Sequence, residues 1–509
     1  MIYLIELGAH TGTTAVTLRV ATASYVTRPT DTPANASFLG RVADPGNFEA
    51  FLFSAGKTGG ASEVGYGEIV INNPDGKFDA WINYGFDGRP IRIYAIADAF
   101  APFSAATLVF RGSIEQIVTA RALKQFRFRI YDRRLDIDKP LQTVVYAGTT
   151  TSAGATAEGN VDLKDQVKPL IFGRVFNVPL VCVNVFNLIY QGSASALTGM
   201  LVYDGGVPLT YTSDYATIAA LNAATLVPGK YASCLAQGII RLGGKPQYAV
   251  TADCTEGATA ASRSAAQIVK RMLTRMGMTT ADYVDATFTA LDTLNAAECG
   301  IFLDGEVTAL DAMQRVLASV GGYIAPNTLG QFEVGRLSAP GTPVATLTER
   351  DFLGEVAFLA TDDAGGGIPA YRVTLRYRPV WLVQKGGDLA GCQDDVDFRG
   401  FVGNEWREAK AENTAIQTKH LRAPPISLET LLVNPAAAGA EATRRLGLYG
   451  VRRDRVRVTV WRQKADGIRR GDTIAIVMGR LGYADGRAMV VTGMRMDNLK
   501  GQITLELWG

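Results

Sequence analysis

The sequence feature that most constrains the fold is an order of short strands and glycine turns that occurs twice. The first copy occupies residues 63–131 and the second occupies residues 471–507. In each copy a turn glycine precedes an aliphatic strand, an apolar run containing a second glycine, and a final alternating strand. The two glycines are 24 residues apart in the first copy and 22 in the second: Gly88 and Gly112, then Gly471 and Gly493. We therefore predict that one small β domain is used twice.

The first copy carries the clearest local signals. Asp75-Gly76 and Asp87-Gly88 are dipeptides that supply the positive φ angles of tight turns. In residues 126–131 arginine alternates with aromatic and aliphatic residues, which predicts a strand with one buried face. The closing strand of the second copy, residues 503–507, alternates aliphatic with polar residues.

Length and composition indicate a folded protein of several domains. The 509 residues correspond to about three or four domains. A hydrophobic content of 47% with 20% charged residues is typical of packed chains rather than disordered ones. The net charge of +2 provides no overall field that would attract nucleic acid or acidic membranes. We predict a mainly β, multidomain fold with a small α+β insert.

Four regions are expected: a first β domain in residues 1–146, an inserted β-rich domain in residues 147–256, a small α+β domain in residues 257–340, and a second β domain with one helix in residues 341–509. In the third region, residues 262–276 and 308–320 place apolar side chains at helical spacing, and a hairpin follows. In the fourth region Asn434 and Pro435 suit the N-cap and first turn of a helix over residues 436–448.

Residues that would suggest catalysis or metal binding are few. His10 and His420 are the two histidines, and neither lies in a nucleophile or metal motif. Gly56-Lys57-Thr58 lacks the upstream glycine of a phosphate loop, and the acidic residues at 394–397 fit no EF-hand spacing, so both stretches are interpreted as loops. We predict no catalytic residue, no cofactor and no metal site. The sequence leaves open whether a pair of carboxylates acts on glycans, because such a pair is recognised by the distance between the two groups in the folded protein and not by their spacing in sequence.

The cysteines and the apolar stretches bear on the compartment. Five widely spaced cysteines without a CxxC pair predict buried free thiols, which suits a reducing cytoplasm. Residues 1–8 lack the basic start of a signal peptide and predict a first strand. The most apolar later stretch, residues 178–190, is too short for a membrane span. We therefore expect no stable membrane insertion.

One charge cluster is a candidate contact surface. Residues 444–470 hold ten basic residues against Asp454 and Asp466, a local net charge of +8. A solvated face with intramolecular pairs is one interpretation, and a subunit or partner contact is the other. The second predicts that changing Arg455 and Arg457 to glutamate impairs assembly while the monomer stays folded. The candidate contact residues are Arg452, Arg453, Arg455, Arg457 and Arg462.

Two stretches resemble a known family. The closing run Gly-Asp-x-Ile-x-Ile, Gly-Arg-x-Met-Val-Val-x-Gly and Ile-Thr-Leu-Glu-Leu is similar to baseplate hub (tail-tip) proteins of tailed bacteriophages. The segment at residues 67–79 is similar to the N-terminal region of such proteins in long-tailed phages and gene-transfer-agent-like particles.

The resemblance implies a mechanical function without catalytic residues. Two tube-type β-barrel domains per chain would let a homotrimer present six similar domains to a six-fold tail tube. The implied partners are a distal tail protein ring, a tape-measure protein and a tail fibre or central tip protein. Phage DNA would pass through the lumen without specific binding. The implied location is the virion tail tip, after assembly in the bacterial cytoplasm.

Two alternatives remain at this point. A distal tail protein would form a hexameric ring and would be expected to have one ring domain without the duplication. A tail-associated cell-wall glycan hydrolase or glycan-binding protein would depend on carboxylates, since histidine is scarce.

Overall fold

The computed structural model describes residues 1–54, 56–60, 62, 64–120, 124–363 and 366–509. The N-terminal part is built of antiparallel strands and two short edge strands. These strands are β1 (Ile2–His10), β2 (Ala15–Ala21), β3 (Tyr25–Val26), β4 (Ser37–Gly40), β5 (Val42–Phe51), β6 (Tyr66–Asn72), β7 (Pro90–Ile96), β8 (Thr107–Ala120) and β9 (Gln125–Tyr131). A short helix, α1 (Arg134–Ile137), follows.

The next part is also mostly strands. They are β10 (Leu170–Pro179), β11 (Val181–Asn184), β12 (Ile189–Gln191), β13 (Gly199–Asp204), β14 (Val207–Pro208), β15 (Thr210–Asp214), β16 (Lys230–Cys234), β17 (Ile239–Leu242) and β18 (Val250–Thr255), with helix α2 (Ile218–Ala223) before β16. They form the order β11-β12-β17-β16-β15 in one sheet and β14-β13-β18-β10 in another.

The helical part follows the predicted pattern. Its elements are α3 (Ala265–Arg275), α4 (Asp285–Leu294), β19 (Gly300–Leu303), α5 (Ala309–Ala318), β20 (Gly322–Pro326) and β21 (Phe332–Arg336). Helices α3 and α5 begin at the N-caps Ser264 and Thr308, whose hydroxyls accept backbone hydrogen bonds. Helix α4 was not predicted. Strand β19 pairs with β10, so one sheet crosses residue 256. The bounds of the four predicted domains stay predictions.

The last part contains more helices than the one predicted. Its elements are β22 (Thr346–Thr348), β23 (Ala357–Leu359), β24 (Arg372–Tyr377), α6 (Val396–Val402), β25 (Arg407–Glu412), α7 (Ala415–Lys419), β26 (Pro425–Glu429), α8 (Pro435–Tyr449), β27 (Arg455–Trp461), β28 (Thr473–Val477), β29 (Arg487–Asp497) and β30 (Gln502–Trp508). The helix capped by Asn434 is α8. Strands β24, β25 and β26 form a separate sheet instead of joining the C-terminal β domain.

Two groups of five strands have the same order. The first unit, defined as β5–β9, has the order β5-β6-β9-β8-β7. The second unit, defined as β23 and β27–β30, has the order β23-β27-β30-β29-β28. In each unit every neighbouring pair is antiparallel. The predicted repeat is therefore present as one strand topology used twice.

Backbone hydrogen bonds at equivalent positions repeat between the units. In the first unit the Gly88 amide donates to the Ile114 carbonyl (2.9 Å), and the Ile114 amide donates to the Arg89 carbonyl (2.8 Å). The corresponding pairs of the second unit are the Gly471 amide with the Val491 carbonyl (2.8 Å) and the Val491 amide with the Asp472 carbonyl (2.8 Å). Both glycines have positive φ, 68° and 91°, as tight turns require.

A β-bulge is also repeated in the two units. Its position shows that Gly112 and Gly493, which the sequence spacing matched, do not correspond. The register shifts between Ile114 and Gln116 in the first unit and between Val491 and Gly493 in the second. Gly493 is thus the counterpart of Gln116. Gly112 pairs with Ile91 two residues before Ile114, so it is not the counterpart of Gly493. The similar spacing of the glycines, 24 and 22 residues, was a coincidence, because Gly112 lies before the bulge of its strand and Gly493 lies directly after the bulge of its own.

The strands flanking the two units differ. Strand β1 pairs antiparallel with β7, with Ile5 opposite Ile93. Strand β22 pairs parallel with β28, with Leu347 opposite Ile476. Strand β1 continues into the hairpin partner β2, whereas β22 arrives from the α+β part of the chain. The five strands of the two units therefore correspond. The strands beside them, β1 and β22, differ, because β1 runs antiparallel to its neighbour and β22 runs parallel to its neighbour.

Each unit packs around its own hydrophobic core. The core of the first unit, shared with β1 and β2, includes Ile5, Leu7, Ile69, Ile71, Ile93, Phe128 and Ile130. The core of the second unit includes Val456, Val458, Ile474, Ile476, Val491, Leu505 and Leu507. The opposite faces of these strands carry the polar and charged residues, as period-2 alternation predicts.

Two arginines of helix α8 contact the helical part, and a buried carboxylate of the same helix holds both of them. Glu441 accepts hydrogen bonds from Arg444 (2.8 Å) and Arg445 (2.8 Å), which also donate to the carbonyls of Leu337 and Ala318. Burial opposes ionisation of Glu441, but the hydrogen bonds and charges of the two arginines outweigh it. The pKa of Glu441 therefore lies below its usual value.

The remaining local predictions have mixed outcomes. Cys234, Cys254 and Cys299 are buried as predicted, whereas Cys182 is half-buried and Cys392 is exposed, so the expectation of burial is wrong for Cys392 and only partly met at Cys182. Thr58 is held in its loop by hydrogen bonds to Asp363. Among the described residues, none of the helices combines the length and the apolarity that a membrane span requires.

Candidate assembly surface

The two units are joined edge to edge by β5 and β29. These strands pair antiparallel, and residues 47–51 lie opposite residues 493–497. We call this pairing the junction. Across it, Arg495 and Glu49 are directly opposite and form an ion pair of 3.0 Å. The pairing makes one continuous 15-stranded sheet of the N-terminal and C-terminal strands.

Close approach at the junction requires a glycine. A Cβ atom at position 493 would lie 2.3 Å from the Phe51 ring. Such a contact is shorter than carbon atoms tolerate, so a larger residue would push the strands apart. Gly493 therefore serves the contact between the units rather than a turn.

A second link joins Arg462, which follows β27 of the second unit, to β1, the strand that flanks the first unit. Its guanidinium donates to the Tyr3 hydroxyl on β1 (3.0 Å) and to the side-chain oxygen of Asn498 (3.3 Å). One of the five predicted contact arginines thus binds within the chain, at the strand beside the first unit.

The other four arginines differ in exposure. Arg455 is buried, donating to Glu506 (3.1 Å) and to the Ala360 carbonyl (2.9 Å). Arg457 also pairs with Glu506, but its side chain is 49% exposed. Arg452 is 76% exposed beside Asp454, and Arg453 lies over the Trp508 ring. A partner contact at this cluster stays a prediction, for which Arg452 and Arg457 have the accessible side chains.

Charges at equivalent positions of the two units are exchanged. In the first unit Glu68 lies opposite Arg129 and pairs with Arg127 at 3.4 Å. At the corresponding positions of the second unit Arg457 lies opposite Glu506. The same cross-strand site therefore holds opposite charges in both units, with the signs reversed.

Two strand edges in the units are open. β7 covers the first half of β8 through Ser113, and residues 116–120 pair only with β9 among the described strands. Among the strands that the structure describes, β23 pairs only with β27. Val118 is 40% exposed and Phe358 is 48% exposed on these edges. Unpaired edges of this kind are ready sites for strand addition.

A cavity of about 510 Å³ lies beside the junction. Its lining includes Phe48, Met494, Tyr323 and Asp132. Asp132 is already engaged by the Gly65 and Arg134 amides. Burial raises the pKa of Tyr323 to about 12, so its phenol stays protonated at neutral pH. These groups favour packing over proton transfer.

The acidic stretch at 394–397 has a structural role. Asp395 caps α6 by accepting hydrogen bonds from the Asp397 and Phe398 amides. In the described part of the chain, no group of three histidine, cysteine, aspartate or glutamate side chains is placed to hold a metal ion.

Comparisons with known proteins give structural likeness only. No family model and no curated protein matches the sequence. The chain is similar in fold to the 43 kDa tail protein of prophage MuSo2 from Shewanella oneidensis, at 10% identity and a TM-score of 0.44, covering 99% of this chain and 98% of that one. It is similar to a tail protein from Neisseria meningitidis MC58, at 11% identity and a TM-score of 0.41, covering 100% and 96%. It is also similar to a chain in the virion of a native gene transfer agent particle, at 15% identity and a TM-score of 0.42, covering 68% and 84%.

Proposed function

We propose that this chain is a structural component of a phage tail tip, a baseplate hub that forms a ring continuing the tail tube. The observation that carries the proposal is the repeated unit, five strands in the same order, joined edge to edge in one sheet. Each chain would fill two neighbouring positions of the ring. A homotrimer would then present six similar units, and a closed ring satisfies the symmetry of an oligomer.

The ring would connect a distal tail protein ring and the tape-measure protein to a tail fibre or central tip protein. Phage DNA would pass through its lumen without specific binding, which the net charge of +2 suits. The protein would act in the virion, after assembly in the bacterial cytoplasm, without catalysing a reaction.

The repeat favours the hub over its two rivals. A distal tail protein is expected to contribute one ring domain per chain, whereas this chain has two units of matching strand order. A glycan hydrolase needs carboxylates free to exchange protons. Glu441 and Glu506 are instead buried in arginine pairs. Glycan release from purified peptidoglycan that stopped on changing a single carboxylate would overturn the non-enzymatic assignment.

The oligomeric state tests the proposal. Mass photometry of the purified full chain over rising concentration should reach a species of three times 54.5 kDa. A species of six chains would favour a distal tail ring. A chain that stays monomeric or dimeric at micromolar concentration would contradict the hub assignment.

A further inference from the structure

The junction pairs two units within one chain, and its strands and register can be applied to a contact between two chains. It joins the second half of β29, in the second unit, to β5, in the first unit. The first half of β29 pairs instead with β28, and the bulge separates the two halves. Because β8 corresponds to β29 and β23 corresponds to β5, the equivalent contact would join β8 to β23.

Among the residues that the structure describes, that equivalent contact is missing within the chain. Residues 116–120 of β8 follow the same bulge as residues 493–497 of β29 and have an open edge where β29 has β5. β23 has an open edge where β5 has β29. Six strands lie between β23 and β8 in the sheet order. The open edges of β8 and β23 therefore lie at the positions that β29 and β5 occupy in the junction, and neither has its equivalent partner among the described strands.

Resting on the proposed ring, we infer that residues 116–120 of β8 pair antiparallel with β23 of a second copy of this chain. The register follows from the junction, in which Arg495 lies opposite Glu49 and Met496 opposite Phe48. Transferred to the open edges, it places Val118 opposite Leu359, Thr119 opposite Phe358, and Ala120 opposite Ala357. The contact joins different surfaces of two copies, so it propagates head to tail and ends only when a ring closes.

The chemistry of the two edges fits this occupant. The six facing residues, 118–120 and 357–359, carry no charge. Edge strands that must stay unpaired commonly carry charges or proline, and these positions have neither. Where the junction has the ion pair of Arg495 with Glu49, the contact between copies has the apolar pair of Val118 with Leu359. Pairing would also cover the exposed Val118 and Phe358 side chains.

Disulfide cross-linking tests the pairing and its register. The full chain carrying Val118→Cys and Leu359→Cys, with the exposed Cys392 changed to serine, would be oxidised and run on a non-reducing denaturing gel. Directly opposite residues approach closely enough for a disulfide. Linked dimers and trimers that collapse on reduction are expected, whereas a link within one chain would run as monomer.

The register control is Val118→Cys with Ala357→Cys, which lies on the same strand two residues away. This pair should link at least tenfold more slowly. Equal linking of the two pairs would overturn the register. Absence of linked dimers from both pairs, in a preparation that mass photometry finds trimeric, would overturn the edge pairing and leave the proposed function standing. Linking of Val118→Cys to Leu359→Cys in a preparation that mass photometry finds hexameric would support the edge pairing and overturn the proposed hub function.

A charge test gives a measurement without cross-linking. The variant Val118→Glu with Leu359→Glu places like charges across the contact. The variant Val118→Arg with Leu359→Glu reproduces the ion pair of the junction and differs only in the sign at position 118. We expect association at least tenfold weaker for the first variant than for the second, with both monomers equally folded by circular dichroism. Equal association constants would overturn the inferred contact.

Discussion

Changing Arg455 to glutamate should lower the free energy of unfolding by about 4 kcal/mol, the range for breaking a buried ion pair. The side chain of Arg455 is 8% exposed and that of Glu506 is 10% exposed. The change would bury two carboxylates side by side and would remove the hydrogen bond to the Ala360 carbonyl. Urea unfolding followed by circular dichroism measures the loss.

The neighbouring arginine provides the control. Arg457→Glu should cost about 1 kcal/mol or less, because its side chain is 49% exposed and solvent screens the pair. The double variant Arg455→Met with Glu506→Leu should recover most of the stability, since apolar residues of similar size replace buried ion pairs without penalty. A stability of Arg455→Glu equal to that of the unchanged protein would refute the role of this pair.

This result would also correct an expectation drawn from the sequence. Reversing Arg455 together with Arg457 was expected to impair assembly and to leave the monomer folded. Arg455 is buried against Glu506, so its reversal would damage the fold first. Arg452 and Arg457 are the positions at which a contact with a partner can be tested without that effect.

Changing Gly493 to alanine should destabilise the chain by about 2–3 kcal/mol, the usual cost of forcing extra volume into a packed contact. The new Cβ would lie 2.3 Å from the Phe51 ring across the junction. Thermal unfolding should detect the loss. Gly199→Ala is the control, because a Cβ at that strand position would meet no atom within 4 Å.

Removal of the opposing ring should relieve this clash. Phe51→Ala costs some packing by itself, but the double variant with Gly493→Ala should be more stable than the two separate losses predict. Strict additivity would mean that the glycine is not required by the ring, and the junction would need another explanation.

Much of the strand pattern could be predicted from the sequence because its signals are local. Asp87-Gly88 predicted a turn with positive φ, and the alternation in residues 126–131 predicted a strand with one buried face. The amphipathic spacing around Ser264 and Thr308 predicted two helices. Helix α4 was missed because its threonines and aspartates are weak helix formers, and the packing of Phe288 and Leu291 that stabilises it involves residues distant in sequence.

What could not be predicted depends on partners distant in sequence. Nothing in residues 372–377 indicates that they pair with β25 and β26 in a separate sheet instead of joining β27. The bulge beyond Val491 is invisible in the sequence, and Gly493 was therefore matched to Gly112. The junction of β5 with β29 joins strands hundreds of residues apart, so only the structure reveals it.

A density map of the assembled ring, resolved with three-fold symmetry, would show directly where the two units of each chain lie. We predict six positions around one channel, filled alternately by the first and second units of three chains, with β8 of each chain beside β23 of the next. A map in which only one unit per chain reaches the channel wall, or in which the two units lie at different heights, would contradict it.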